Sequence, residues 1–153
     1  FGIIYKFKDY LRPVSNNEDR TANELMGTTG MFWFFSGNEG FLGVKYSINK
    51  DWTEGKNWEY FGHKINASLL VPFFKKIKFN VIAETFLQDY HNVHTVFNKK
   101  RDDQTYTASS VLSYEFIKNT ELQVRYTYVN NQSNLNLYEY DRNIVSAAIE
   151  YKF

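Results

Sequence analysis

From Leu137 to Phe153, the last residue, the chain alternates in character at every second position. Counting back by twos from Phe153 gives Tyr151, Ile149, Ala147 and Val145, with Lys152, Glu150, Ala148 and Ser146 between them. A period of two puts successive side chains on opposite faces of a strand, and no helix produces it. One face of this segment is therefore apolar and aromatic. The other is charged or small.

The same period recurs upstream, and we read eight strands. The first seven cover about Phe1–Leu11, Asn23–Phe35, Phe41–Asn49, Trp58–Phe73, Lys76–Tyr90, Gln104–Ile117 and Thr120–Val129. Short turns near 36–40, 73–76 and 117–120 alternate with long polar connections near 12–22, 50–57, 91–103 and 130–136. Many of these strands exceed the ~5–6 residues of an ordinary strand and match the ~9–11 that a tilted membrane-spanning strand needs. The expected fold is all-β: a transmembrane up-and-down antiparallel β-barrel, with about eight strands in this chain. Residues 1–153 form either one outer-membrane barrel domain or the C-terminal segment of a larger barrel. A self-contained barrel closes its first strand onto its last, with Ile3, Tyr5 and Phe7 beside Val145, Ile149 and Tyr151. The first strand begins almost at Phe1, which favours residues preceding it.

Composition bears on this choice. There are 14 Phe, 12 Tyr and 3 Trp, yet the mean hydropathy is −0.50. No run approaches the ~18–20 apolar residues of a membrane helix, whereas a barrel hides its membrane signal in alternation. A soluble barrel would turn the apolar face inward instead. The terminal Phe and the loop asymmetry favour apolar-out, with the short turns periplasmic and the long loops outside. Tyr126, Tyr128, Tyr138, Tyr140, Trp52, Trp58 and Tyr60 are then expected near outer strand ends. Phe7, Phe35, Phe41, Phe73, Phe116, Tyr151 and Phe153 are expected near inner ends, as two interfacial girdles. A net charge of +1 gives no reason to expect nucleic acid. The absence of Cys excludes disulfides and thiolate metal sites.

With the apolar face toward lipid, the opposite face is a lumen. Its expected lining is Lys6, Lys8, Lys45, Lys64, Lys78, Arg125 and Lys152 with Glu84, Glu115, Glu121 and Glu150. In a small barrel these fill the interior and must pair; in a wider one they line a wet pore. No catalytic residue is assigned. Outer-membrane lipid hydrolases and acyltransferases use a His–Ser pair with a carboxylate. Here His63 lies in a strand on the lipid-facing register, and His91 and His94 lie in an outer loop, without a His-x-Ser element. His91 and His94 with Asp89 are weighed as a metal site and set aside, so no metal or cofactor is expected. The run Asn98 to Asp103 reads as a solvated loop tip, within reach of lipopolysaccharide phosphates through Lys99, Lys100 and Arg101.

Two resemblances sharpen this. Val145, Ala147, Ile149, Tyr151 and Phe153 resemble the C-terminal insertion signal of bacterial outer-membrane barrels, which implies the barrel-assembly machinery as a partner. The stretch Tyr126-Thr127-Tyr128, Ser133-Asn134, Tyr138-Glu139-Tyr140-Asp141-Arg142-Asn143 and Ile149 to Phe153 resembles the last hairpin of the surface lipoprotein assembly modifiers and related exporters with periplasmic tetratricopeptide repeats. The resemblance covers about thirty residues and implies a Gram-negative outer-membrane location, an exported cargo or periplasmic partner, and passage through the barrel. The leading expectation is a channel or translocation pore with a Lys/Glu-lined lumen. The alternatives are a closed structural or adhesive barrel acting through its outer loops and, third, a lipid-modifying enzyme.

Overall fold

Strands rich in Val, Ile, Tyr and Phe, punctuated by left-handed turn residues, dictate a meander. The computed structural model describes residues 1–10, 17–74 and 76–152 and has this form. Eight strands follow one another: β1 (Gly2–Lys8), β2 (Ala22–Phe35), β3 (Gly40–Thr53), β4 (Tyr60–Phe74), β5 (Ile77–Val93), β6 (Lys100–Ile117), β7 (Thr120–Ser133) and β8 (Tyr140–Tyr151). They make one antiparallel sheet in sequence order, so every neighbour in the chain is a neighbour in space. No described helix is long and apolar enough to cross a membrane.

β1 and β8 are the two edges, and the sheet is not closed between them. The expected pairing of Ile3, Tyr5 and Phe7 with the last strand is absent. Phe153 and residues 11–16 fall outside the described residues, so the terminal Phe of the insertion signal and the far end of the first expected strand are not part of this description.

The strands climb higher than the sequence reading had them. β3 runs to Thr53, β6 starts at Lys100 and β7 reaches Ser133. The segments read as polar loops at 50–53, 91–93, 100–103 and 130–133 are paired strand, because a polar strand end has turn-like composition. The short connections behave as expected. Ser36, Gly37 and Asn38 take positive φ between β2 and β3, and Asn119 does so between β6 and β7.

Register sorts the side chains. Ser47 faces Thr28 and Lys64, and Glu84 faces Asn66 and Thr107; the rows continue through Thr127 to Ile144. We call this the inner face. The other, outer face carries Ile65, Leu69, Val81, Leu112, Val124 and Ile149, all exposed. It turns polar at one level, marked by Lys50, Asp89, Asp102, Asn130 and Asp141. Below that level β5 is apolar from Ile77 to Leu87, broken only by Thr85, roughly the ~9–11 residues of a tilted membrane crossing. Tyrosines in this band have their hydroxyls satisfied: Tyr46 pairs with His63 Nδ1 at 2.6 Å and Tyr126 donates to Asn143 at 2.6 Å. His63 thus lies on the apolar face, where alternation put it.

The inner face is less uniformly polar than alternation implies. Ile4, Met26, Phe32, Phe34, Phe41, Ile82 and Phe86 share it with the charges. The run Met31-Phe32-Trp33-Phe34-Phe35 is apolar on both faces, so it hides its own period. Phe32 lies flat against Gly43, its direct cross-strand partner; a Cβ there would sit 2.6 Å from the ring. Phe41, expected in a girdle, packs on Phe32 at 5.8 Å on the inner face. Phe7 sits at the long-loop end, opposite Asn23, and not at the short-turn end. The chain rises through β1, so its later residues are the higher ones.

Candidate functional site: the charged inner face and its capped end

The eleven residues expected to line a lumen share the inner face by register or lie at its end. Lys6 and Lys8 come from β1, Lys45 from β3, Lys64 from β4, and Lys78 and Glu84 from β5. Glu115, Glu121, Arg125 and Glu150 follow on β6, β7 and β8. Lys152, just past β8, reaches Glu121 at 3.8 Å. Many of these charges pair. Lys8 bridges Glu24 at 2.8 Å and Asp51 at 2.7 Å, Lys6 adds a contact to Glu24 at 3.6 Å, and Lys64 meets Glu84 at 3.3 Å. Lys45 lies 5.3 Å from the Phe32 ring, a cation–π contact. Among the described residues Lys45, Lys78 and Arg125 make no ion pair. Glu115, Glu121 and Glu150 face one another across three strands, an unfavourable like-charge row that Gln123 eases by donating to Glu121 at 2.9 Å and to Glu150 at 3.0 Å.

A cavity of about 540 Å³ lies on this face beside β1. It is lined by Ile4, Met26 and Phe32 on one side and Lys45, Lys64 and Glu84 on the other.

The most organised part of the molecule is the long-loop end. Four connections meet there: the first through its residues 17–21, with 54–59, 94–99 and 134–139. The first and second zip together through backbone bonds, Glu54 N–H to Thr21 O at 2.8 Å and Gly55 N–H to Asp19 O at 2.9 Å. Gly55 is required by the approach, since a Cβ would lie 2.4 Å from the Asp19 backbone. Asn57, only 2 % exposed, donates to Glu18 and to Thr95 Oγ1 at 2.9 Å and accepts from Thr95 N–H at 3.0 Å. It ties the second connection to the third. His94 Nε2 meets the Tyr138 hydroxyl at 2.9 Å, tying the third to the fourth. Asn134 ties the fourth connection to the start of β6, donating to Lys100 O at 2.8 Å and accepting from Asp102 N–H at 3.0 Å.

At the centre is Arg101, 7 % exposed, beside Asp103, 2 % exposed. They stand two apart on β6, so both point to the inner face. Arg101 Nε donates to both Asp103 oxygens at 3.0 Å, and its Nη2 makes a further close bond to Asp103. The guanidinium lies 3.4 Å from the Tyr138 ring centre, 4.4 Å from Tyr90 and 5.2 Å from Trp58. Arg20 stacks on Trp58 at 3.7 Å, and Trp58 Nε1 donates to Glu18 at 3.0 Å. Burial pushes the Tyr138 phenol above its ordinary pKa, against the pull of Arg101.

Trp58 and Tyr138 belong to connections four strand spacings apart, ~19 Å along the sheet at ~4.8 Å per strand. Their rings are 6.0 Å apart and edge-on. The connections therefore fold over the inner face and do not stand upright at its rim.

This overturns three expectations. Arg101 is not part of a solvated tip; it is a buried strand residue with an intramolecular partner. His94 is buried against Tyr138 and Phe97, and His91 is the antepenultimate residue of β5, not a loop residue. Trp58 and Tyr138 belong to the cap and Tyr60 to the inner face, not to an outer girdle. The signal for the cap was present as Arg101-x-Asp103, a same-face pair on a strand. It was hidden because a run of five charges from Lys99 reads as a loop.

No curated protein and no solved structure matches the chain. A family model does, and it extends over nearly the whole sequence, well beyond the thirty residues that carried the resemblance. The match to the surface lipoprotein assembly modifier model covers residues 5–153, and the chain belongs to that family.

Proposed function

We propose that this chain forms the wall of an outer-membrane β-barrel that acts in surface lipoprotein assembly as a translocation channel, with its Lys/Glu face lining the passage. One observation carries the reading. The register separates an apolar outer face, of about the height of a membrane, from an inner face that holds Lys6, Lys8, Lys45, Lys64, Lys78, Glu84, Glu115, Glu121 and Glu150. Only a wall with lipid on one side and water or cargo on the other requires that division. The family name supports a class of cargo: a lipoprotein destined for the surface.

The test is surface display. Cells that carry the full-length protein are probed with protease for an exposed lipoprotein. Display is expected to vanish on deletion, to return with the wild-type gene, and to fall with the double charge reversal Lys45→Glu/Lys64→Glu. Display that is indifferent to the protein overturns the reading.

The capped long-loop end favours a second reading, a closed barrel that acts through its outer connections. In that case the charge reversals leave display and ion conductance unchanged.

A further inference from the structure

We propose that the second and fourth long connections form a latch over the long-loop end of the inner face, with Arg101 as its pin, and that cargo passage requires its release. The inference rests on the translocation reading and supplies its gate.

Three observations carry it. First, the latch reaches across the sheet: the Trp58–Tyr138 contact joins connections that the sheet holds four strands apart. Second, one side chain touches both halves of the latch. Arg101 contacts Trp58 of the second connection and Tyr138 of the fourth, while Asp103 fixes it to the wall. Third, the fastening is polar and reversible. A core built only to hold a fold would bury apolar side chains. Here Asn57, His94, Arg101 and Asp103 are buried beside Tyr90 and Leu135, and Arg101 Nη1 is buried with no partner among the described residues. An unsatisfied buried guanidinium nitrogen raises the energy of the closed state. It gains a partner when water or a cargo acceptor reaches it, so opening is favoured by whatever arrives from the inner face.

The chain has no cysteine, which allows a clean accessibility test. Ser109 lies midway along β6 on the inner face, and Val96 is exposed at the tip of the third connection. Each is replaced singly, Ser109→Cys and Val96→Cys, in the full-length protein in cells. A bulky membrane-impermeant maleimide is then added from outside. With the latch intact, Ser109→Cys is expected to react at least about tenfold more slowly than Val96→Cys, the response to ~1.4 kcal/mol in favour of closure. Adding Trp58→Ala or Tyr138→Ala should remove most of that gap. Both positions lie on connections outside every strand, so pairing of the wall does not depend on them.

Equal rates at the two positions with the latch intact overturn the proposal without any latch variant. A gap that survives both alanine variants overturns it too. Surface display of the lipoprotein is scored in the same cells. If display does not depend on the protein, the translocation reading fails while the labelling result still decides whether the latch closes the face.

Discussion

Arg101 donates from one nitrogen to both oxygens of Asp103, two residues further along the same strand, and both side chains are buried. A pair this deeply buried is costly to break from one side. Arg101→Ala strands a carboxylate among aromatic rings and is expected to destabilise the protein by about 3–5 kcal/mol. The double variant Arg101→Met/Asp103→Leu removes both charges and should be markedly more stable than Arg101→Ala alone. Urea midpoints of the folded protein in detergent measure both.

Gly43 lets the Phe32 ring lie against the wall. Gly43→Val should cost about 1–3 kcal/mol by forcing the ring off its floor. Combining it with Phe32→Ala should recover part of the loss, because the clash is with that ring and the Ser68 hydroxyl, at 3.0 Å, is a lesser neighbour. Thermal unfolding of the two variants side by side separates steric from backbone effects.

Lys8 holds Glu24 and Asp51 together, and both carboxylates are buried. Without it Glu24 keeps only the longer contact to Lys6, and Asp51 loses its cation. Lys8→Ala is expected to cost about 3 kcal/mol. Adding Glu24→Gln should return some of it by removing one of the two charges. Since Lys8 ends β1, the loss should show first as faster amide exchange in β1, read by hydrogen–deuterium exchange.

Glu59, between the second connection and β4, accepts from Lys50 at 2.7 Å and from Asn92, and these hold its carboxyl below the usual carboxylate range. A group whose folded pKa is depressed stabilises the fold above its unfolded pKa and loses that contribution as pH falls through the folded value. The pair is partly solvated, so its worth is at most ~1 kcal/mol. Glu59→Gln should therefore lower the urea midpoint slightly near pH 7 and make no difference near pH 3. A deficit that persists in acid would assign the effect to packing.

The wall was legible in the sequence because its signal is local. A period of two needs only neighbouring residues, so Tyr106 to Phe116 and Val145 to Tyr151 fell on their faces at once, and the charged residues opposite them did as well. What failed was non-local. Whether Trp58 meets lipid or Tyr138 depends on how connections four strands apart lean, and no window of sequence contains that. Phe41 was misplaced for a related reason: Phe and Leu on both faces of β2 and β3 leave no alternation to read. Arg101 and Asp103 obeyed the period but sat among Lys99, Lys100 and Asp102, where charge density outweighed it.

The length of β6 has a further consequence. Its 18 residues span ~60 Å at ~3.3 Å each, and tilted by ~45° they stand ~42 Å tall, against an apolar band of ~25 Å. In a bilayer set by the outer-face band, the upper part of the sheet rises as a turret ~17 Å above the acyl chains. The knot around Arg101 then stands clear of the acyl chains. An antibody or a colicin-sized protein could touch it without entering lipid, and changes in membrane thickness would leave it undisturbed.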